Sequence, residues 1–319
     1  MSTRALVTGG NGFVAQWAMR AMLQRGWSVT AAGIGQFAAP VLSDAESSAI
    51  SWTTMDVTDQ SQVRDTMNAC RPDMVLHLAA ISHVPDARAN PGLAYEVNVV
   101  GTVRVLAEAR RLRDEAAADP TVLVIGSAEQ YGRHEINEMP LHEEVEQRPL
   151  TLYASSKTAQ EIAALQAFRA EGIRVLCTRS FNHSGAGHAR RFLLPSLVEQ
   201  AVALPPSGGV LRIGNADVVR DFLHVADVVE AYLLLLERGA MGDVYNVSSG
   251  EGVSVRALAS AVLQRVGVSA DIAVDPARAR PVDVPVLVGS NTKLHRATGW
   301  TPCRTRDDII DDLIHAATR

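Results

Sequence analysis

The chain has 319 residues, of which 47% are hydrophobic and 20% are charged, an ordinary balance for a folded protein with a large core. Its net charge of −5 provides no basic excess to recruit nucleic acid or an anionic membrane, so we expect neither partner. Cys70, Cys177 and Cys303 are too few and too widely spaced for a disulfide framework or a paired metal site, which favours a reducing, cytoplasmic location without a bound metal.

Short β-rich runs alternate with amphipathic helical stretches through the first half of the chain. Strands are predicted at residues 5–8, 28–32, 50–55, 74–79, 121–125 and 175–179. Helices are predicted at residues 13–25, 61–70, 97–113 and 154–170. Strands joined by helices of this length need right-handed crossovers, so the pattern predicts an α/β fold with a Rossmann-type doubly wound parallel sheet.

After about residue 181 the alternation becomes less regular. Loops are predicted at residues 205–209 and 277–285, a helix at 226–237 and a strand at 242–247. We therefore predict a Rossmann-type domain over residues 1–180, with 222–247 packing back onto it, and a smaller C-terminal α/β lobe over 181–319. The longest apolar run contains Asp227 and Glu230, so we expect no membrane span.

A glycine turn follows the first predicted strand and opens the first predicted helix. Gly9 and Gly12 are three residues apart, and the small Ala15 follows after three more. Without side chains at the glycines, backbone N–H groups at the helix N-terminus can approach a pyrophosphate. The turn, together with Phe13 and Val14, therefore predicts a dinucleotide site, and a tight turn without a ligand is the alternative.

The residues after the second and third predicted strands bear on the choice of dinucleotide. An acid after the second strand usually selects NAD, and an arginine there accommodates NADP. Gly33 and Ile34 supply neither group, so we expect NADH and NADPH to be used with efficiencies within about tenfold, or ~1.4 kcal/mol. Asp56 and Val57, after the third strand, are candidates for holding the adenine; the alternative for Asp56 is a helix cap.

Three residues form a candidate catalytic set. Tyr153 and Lys157 are four residues apart in a predicted helix and so share one face, where the ammonium would lower the pKa of the phenol from its usual value near ~10. Ser127, just after the fifth predicted strand, would lie at the carboxyl edge of the sheet and could hydrogen-bond a substrate carbonyl. Taken singly, Tyr153 and Lys157 would more often lie on a solvated helix face, and Ser127 would more often stabilise a turn. Taken together, the three residues predict proton transfer to a carbonyl.

With Leu78, Ala79 and Ala80 after the fourth strand, and with Asn98 on the following helix, these motifs resemble the extended short-chain dehydrogenase/reductase family over essentially the whole chain. The resemblance implies an NAD(P) cofactor held by residues 1–180, with residues 78–80 beside it. It also implies that Lys157 bonds the nicotinamide ribose, that Asn98 supports the site, and that the protein is a homodimer.

The second half resembles the nucleotide-sugar branch of that family and, within it, the GDP-mannose group. Asn182, in R-S-F-N-H, and Arg220, in R-D-F-L-H-V-A-D, match positions that contact the sugar diphosphate. Arg280 and Asp283 lie in the segment R-P-V-D-V-P, and a further substrate contact is implied at Ser82. Two arginines in loops of one lobe also suit a pyrophosphate, although either one alone would more often form a surface ion pair.

The resemblance implies an enzyme that uses NADPH or NADH to reduce the C4 keto group of a GDP-4-keto-6-deoxyhexose. The product would be GDP-6-deoxy-D-mannose (GDP-rhamnose) or its C4 epimer. Glu129 matches the base that removes the C5 proton in 4,6-dehydratases, but Ala128 cannot protonate the leaving hydroxyl. A GDP-mannose 4,6-dehydratase or another nucleotide-sugar epimerase or dehydratase is therefore the alternative. A non-catalytic NAD(P) sensor is disfavoured by the intact set of Ser127, Tyr153 and Lys157.

Overall fold

The computed structural model of the chain describes residues 2–36, 38–279 and 283–318. Within these ranges the strands are β1 (Arg4–Thr8), β2 (Ser28–Gly33), β3 (Ser51–Thr54), β4 (Met74–His77), β5 (Thr121–Ser127), β6 (Val175–Ser180), β7 (Asn182–Ser184), β8 (Val210–Ile213), β9 (Val219–His224), β10 (Val244–Val247), β11 (Gly252–Ser254), β12 (Asp271–Val274) and β13 (Val286–Leu287). The helices are α1 (Phe13–Gln24), α2 (Asp44–Ser48), α3 (Gln60–Cys70), α4 (Val84–Ala89), α5 (Pro91–Tyr95), α6 (Gly101–Asp114), α7 (Leu152–Glu171), α8 (Leu193–Val202), α9 (Val225–Arg238), α10 (Val255–Val266), α11 (Thr292–Thr298) and α12 (Arg306–Ala317).

The main sheet is parallel throughout and has the strand order β10-β6-β5-β4-β1-β2-β3. The chain winds one way through β1, β2 and β3 and the other way through β4, β5 and β6, so the order reverses between β1 and β4. At such a reversal the loops after the strands separate and leave a crevice where α/β folds bind ligands. The predicted Rossmann-type doubly wound α/β sheet is confirmed.

Helices cover both faces of the main sheet. On one face, α1, α9 and α11 form a buried apolar cluster with strand residues that include Val7 and Leu76. On the other face, α3, α6 and α7 form a second cluster that includes Leu6 and Val75. Successive side chains of a strand point to opposite faces, which is why chain neighbours belong to different clusters. Because both faces are covered, the strands read as nearly continuous apolar runs.

The second lobe is built on two small sheets. β9 pairs antiparallel with β11 and parallel with β7 and β13, while β8 pairs parallel with β12. Helices α8, α10 and α12 pack against these sheets in a separate apolar cluster that includes Leu197 and Leu258. α9 then packs against α1, and β10 extends the main sheet beside β6. Since β6 leads into β7 at Phe181, the second lobe adjoins the carboxyl edge of the main sheet.

In the described part of the chain, no helix is long and apolar enough to cross a membrane. In the same part, no group of three or more His, Cys, Asp and Glu side chains could hold a metal ion. Cys70, Cys177 and Cys303 are free thiols.

Candidate active site

The turn between β1 and α1 forms a cradle of backbone groups. Gly9 has a φ of +68°, and a Cβ at this position would lie 2.9 Å from the backbone nitrogen of Ala79. Gly12 holds the N-cap position of α1 and has no side chain to cap the helix, so N–H groups of the first turn face the crevice end of the sheet. Phe13 and Val14 begin the helix. Such a cradle fits a dinucleotide pyrophosphate, because backbone N–H groups at the start of a helix bind anions and no side chain stands at Gly9 or Gly12.

The residues at the end of β2, Gly33 and Ile34, are uncharged. A Cβ on Gly33 would collide with Oδ1 of Asn11. Asn11 donates from Nδ2 to the carbonyl of Ile34 at 2.7 Å, and the Ile34 side chain is largely exposed. An acid introduced at Gly33 would have to displace Asn11. A substitution at Ile34 is therefore the better test of the choice between NADH and NADPH.

Asp56 does not cap a helix. Its Oδ1 accepts hydrogen bonds from both N and Oγ1 of Thr58, each at 2.8 Å. Asp59 caps α3 instead, accepting from the backbone nitrogen of Ser61 at 2.9 Å. The helix-cap alternative for Asp56 is therefore wrong, because a residue three positions later takes that role. The adenine contact of Asp56 and the buried Val57 stays a prediction.

Asn98 anchors the loop that follows β4, which contains the predicted cofactor residues 78–80. Its Oδ1 accepts from the backbone nitrogen of Ile81 at 2.8 Å, and its Nδ2 donates to Oγ of Ser156 on α7 at 2.9 Å. Asn98 is fully buried. It therefore ties the loop to α7, in agreement with its implied supporting role. Ser82, the implied substrate contact, follows this loop and is exposed.

Ser127 and Tyr153 meet at the carboxyl edge of the main sheet. Ser127 is the last residue of β5, and Tyr153 lies in the first turn of α7, which Thr151 caps. The Ser127 hydroxyl accepts from the backbone nitrogen of Glu129 at 3.2 Å, and its interaction with the Tyr153 hydroxyl lowers the pKa of that phenol. The backbone nitrogen of Ser127 donates to Oε1 of Gln130 at 2.7 Å, which fixes the end of the strand. The two hydroxyl groups therefore lie at the same edge of the sheet, where both could hydrogen-bond to one carbonyl oxygen.

The predicted effect of Lys157 on Tyr153 is wrong. Burial and the Glu129 carboxylate raise the pKa of Tyr153 above its ordinary value, and the Ser127 hydrogen bond offsets only part of this. The Lys157 ammonium instead donates to the carbonyl of Ile125 and to Oε1 of Gln160, both at 2.7 Å. Burial lowers the pKa of Lys157 to about 7. The phenol therefore remains protonated at neutral pH and is suited to donate a proton.

Glu129 lies on a short 3₁₀ turn, Ala128–Tyr131, directly after β5. Its Oε2 accepts from Oγ1 of Thr151 at 3.3 Å, and its charge acts on the Tyr153 hydroxyl. The residue thus joins the predicted catalytic set in space. Ala128, beside it, is buried and has no group that could transfer a proton.

A cleft opens between the carboxyl edge of the main sheet and the second lobe, with about 960 Å³ of empty space including its open mouth. It brings together four predicted residues, Glu129, Asn182, Arg220 and Asp283. It is also lined by residues that the sequence analysis missed: Thr151, Leu193, Asn215, Arg278 and Leu287. The sequence feature that could have indicated Arg278 is the predicted loop over residues 277–285, which contains both Arg278 and Arg280. Arg280, predicted to bind substrate, is outside the described residues.

Arg220 is held in the cleft by an ion pair with Asp283. The two side chains are only 11% and 15% exposed. Asn215 donates from Nδ2 to the other carboxylate oxygen of Asp283 at 2.7 Å, and Arg220 donates to the carbonyl of Val219 at 2.8 Å. Asp283 therefore orients the guanidinium at the wall of the cleft, which was not part of the sequence prediction.

Comparisons with known proteins place this site in context. The family model for GDP-mannose 4,6 dehydratase matches residues 6–313. GDP-6-deoxy-D-mannose reductase from Pseudomonas aeruginosa is 39% identical over 233 residues, 72% of this chain and 75% of that protein. The structure of RMD from Pseudomonas aeruginosa complexed with NADPH has 31% identity and a TM-score of 0.80, with 99% of each chain covered. UDP-glucose 4-epimerase from Thermus thermophilus, complexed with NAD, has 26% identity and a TM-score of 0.85, again with 99% of each chain covered.

The family match spans nearly the whole chain and both lobes, including the glycine turn, Ser127, Tyr153 and the cleft. The resemblance drawn from the motifs is confirmed. The chain belongs to the GDP-mannose 4,6-dehydratase family, in the nucleotide-sugar branch of the extended short-chain dehydrogenases/reductases.

Proposed function

We propose that the chain is an NAD(P)H-dependent reductase of the C4 keto group of a GDP-4-keto-6-deoxyhexose. The product would be GDP-6-deoxy-D-mannose (GDP-rhamnose) or its C4 epimer. The observation that carries the proposal is the placement of the Ser127 and Tyr153 side chains at the carboxyl edge of the sheet, where the Ser127 hydroxyl lowers the pKa of Tyr153. Support comes from the 39% identical GDP-6-deoxy-D-mannose reductase and from the RMD structure with NADPH.

The cofactor would lie against the turn of residues 9–14, residues 56–57 and residues 78–80. The close approach of Gly9 to Ala79 leaves no room for a side chain at position 9, so backbone groups of the turn remain open to the pyrophosphate. When bound, reduced nicotinamide supplies the hydride. Relatives with either NADPH or NAD bound support a nicotinamide cofactor, and the uncharged Gly33 and Ile34 support the use of both forms.

Tyr153 is the general acid in this proposal. Its raised pKa keeps the phenol protonated near neutral pH, so it can donate a proton to the oxygen that forms at C4. Ser127 holds the same oxygen through its hydroxyl and so orients the carbonyl. Lys157, buried beneath them, would bond the nicotinamide ribose.

The second lobe, residues 181–319, would bind the nucleotide sugar. Arg220 and Arg278 line one cleft, and two guanidinium groups suit a diphosphate through charge-assisted hydrogen bonds. Asn182 lines the same cleft and would contact the sugar diphosphate. Because Asp283 already orients Arg220, the guanidinium needs little reorganisation when an anion enters.

Dehydration of GDP-mannose is the second candidate function. The Glu129 carboxylate beside Tyr153 favours it, since a base for the C5 proton would stand there. Ala128 speaks against it, because no side chain at that position can protonate the leaving hydroxyl. A dehydratase regenerates its cofactor within each turnover, so only a reductase consumes NADH or NADPH.

We also propose a cytoplasmic homodimer. Val103 on α6 and Ile162 on α7 are 46% and 62% exposed on two adjacent helices, and a second copy could cover them. Ile162→Glu should shift the molar mass measured by light scattering from that of a dimer to that of a monomer. An unchanged mass would remove this face from the interface.

The test of function is a substrate panel. The purified chain is given GDP-4-keto-6-deoxy-D-mannose with NADH or NADPH and, separately, GDP-mannose with NADP⁺. Consumption of reduced cofactor with a 6-deoxyhexose product supports the reductase. Formation of a 4-keto sugar from GDP-mannose would support the dehydratase instead.

A further inference from the structure

Lys157 stands at one end of a buried chain of hydrogen bonds. Its Nζ donates to Oε1 of Gln160 at 2.7 Å, and Nε2 of Gln160 donates to Oγ1 of Thr102 on α6 at 2.9 Å. Lys157 is 3% exposed, Gln160 1% and Thr102 0%. Water therefore does not compete for these bonds, and their geometry is set by the protein alone.

The chain continues through His77 on β4 to the cofactor loop. Nε2 of His77 lies 2.9 Å from Oγ1 of Thr102, and Nδ1 lies 2.8 Å from Oγ1 of Thr8. Oγ1 of Thr8 accepts from the backbone nitrogen of Ala79 at 3.1 Å. Burial lowers the pKa of His77 to about 3, so the imidazole is neutral. The network thus links the lysine to the loop that would lie beside the nicotinamide.

The direction of every bond in this network is determined. Oγ1 of Thr102 lies 2.8 Å from the carbonyl of Asn98, which can only accept, so the Thr102 hydroxyl proton goes there. Thr102 must then accept from Nε2–H of His77 and from the amide of Gln160. Nδ1 of His77 consequently accepts from Thr8. The Gln160 amide cannot be reversed, because its Oε1 would then face Oγ1 of Thr102, whose only proton goes to the carbonyl of Asn98.

We propose that Gln160 is a positioning residue of the reductase site: it accepts a hydrogen bond from the Lys157 ammonium and holds it against β5, and the Thr102–His77 pair orients Gln160. The inference rests on the proposed function. An ammonium has three donors. Two of the three Lys157 N–H groups donate to the carbonyl of Ile125 and to Oε1 of Gln160, and no described residue accepts from the third. That donor is the one available for the cofactor ribose.

The titration of Lys157 can be isolated, because its titratable neighbours do not change charge near neutral pH. His77 acts on it from β4 and Cys177 from β6, and Tyr153 lies four residues before it on its own helix. Burial raises the pKa of both the Cys177 thiol and the Tyr153 phenol, and the pKa of His77 is about 3. Above a pH of about 7 Lys157 loses its proton, and the third donor is lost with it.

The experiment measures the dissociation constant of NADH between pH 5.5 and about 9 by fluorescence titration. NADH is the probe because it lacks the 2′-phosphate of NADPH, which titrates near ~6. Gln160→Glu places a carboxylate against the ammonium, so the pH at which affinity falls should rise by about 1–3 units. Gln160→Met removes the acceptor and should move the fall to lower pH, which keeps the proposal testable if the glutamate variant does not fold. Gln166→Glu adds the same charge at an exposed position of the same helix and should not move the fall.

A fall in affinity at the same pH in wild type and both Gln160 variants would overturn the proposal. A uniform weakening without a shift would also overturn it, because that result assigns Gln160 to packing. The measurement needs no sugar, so its outcome is separate from that of the reductase assay. Where the chain does reduce the GDP-sugar, the pH profile of kcat/KM should shift in parallel.

Discussion

Replacing Glu161 by glutamine should strongly destabilise the chain, because it leaves a buried guanidinium without its counter-charge. Arg179 on β6 donates from Nη2 to Oε1 of Glu161 at 2.7 Å and from Nε to Oε2 at 3.0 Å. The side chains are 6% and 4% exposed, respectively. The pair stands next to the active site, since Glu161 also accepts from Nε2 of Gln130, the residue that fixes Ser127.

Removing one partner of a buried ion pair costs about 3–5 kcal/mol, because the remaining charge is desolvated without compensation. Other contacts of Arg179 survive the change: the guanidinium lies 4.8 Å from the centre of the Tyr131 ring and donates to the carbonyl of Glu143 at 2.9 Å. These contacts favour the lower end of the range. We therefore expect the free energy of unfolding of Glu161→Gln to fall by about 3 kcal/mol.

Urea unfolding followed by circular dichroism measures this loss. The matched control is Glu171→Gln on the same helix, where the ion pair with Arg110 has side chains 49% (Arg110) and 31% (Glu171) exposed. The control should lose at most about 1 kcal/mol, because water screens an exposed pair. Equal losses in the two variants would refute the argument that burial makes the Glu161 pair costly to break.

Three further substitutions address the site itself. Tyr153→Phe should lower kcat about 10²–10⁴-fold while the dissociation constant of NADH changes little, because only the proton donor is removed; kcat within about threefold of wild type would remove Tyr153 from the reaction. Arg220→Ala should raise KM for the GDP-sugar roughly 10- to 150-fold, the equivalent of about 1.5–3 kcal/mol, without a matching rise for NADH; equal rises for both ligands would indicate a structural role. Ile34→Arg should increase kcat/KM for NADPH relative to NADH, starting from a wild-type ratio within about tenfold; a hundredfold preference in the wild type would reveal a selecting group elsewhere.

The elements that the sequence predicted well are those that depend on local pattern. The turn between β1 and α1 follows from glycines flanked by an apolar strand and an amphipathic helix, so Gly9 and Gly12 could be placed without knowing the rest of the fold. Tyr153 and Lys157 share a helix, and their spacing alone puts them on one face. Chain neighbours impose these features, and periodicity reveals them.

The details that the sequence did not predict depend on partners distant in the chain. Lys157 was expected to act on Tyr153, but it turns to the Ile125 carbonyl on β5, which spacing within a helix cannot reveal. The pairing of Arg220 with Asp283 joins residues 63 positions apart, so each was predicted separately as a substrate contact. Burial, which raises the pKa of Tyr153, is likewise a property of the assembled fold.

Isotope transfer tests the central claim most directly. The chain is incubated with GDP-4-keto-6-deoxy-D-mannose and NADH carrying deuterium at the transferred position of the nicotinamide, and the purified sugar nucleotide is analysed by NMR. We expect one deuterium at C4 of a 6-deoxyhexose for each NADH oxidised, with the signal lost in Tyr153→Phe over the same interval. A product without deuterium at C4, or sugar conversion without net oxidation of NADH, would contradict the proposed reduction.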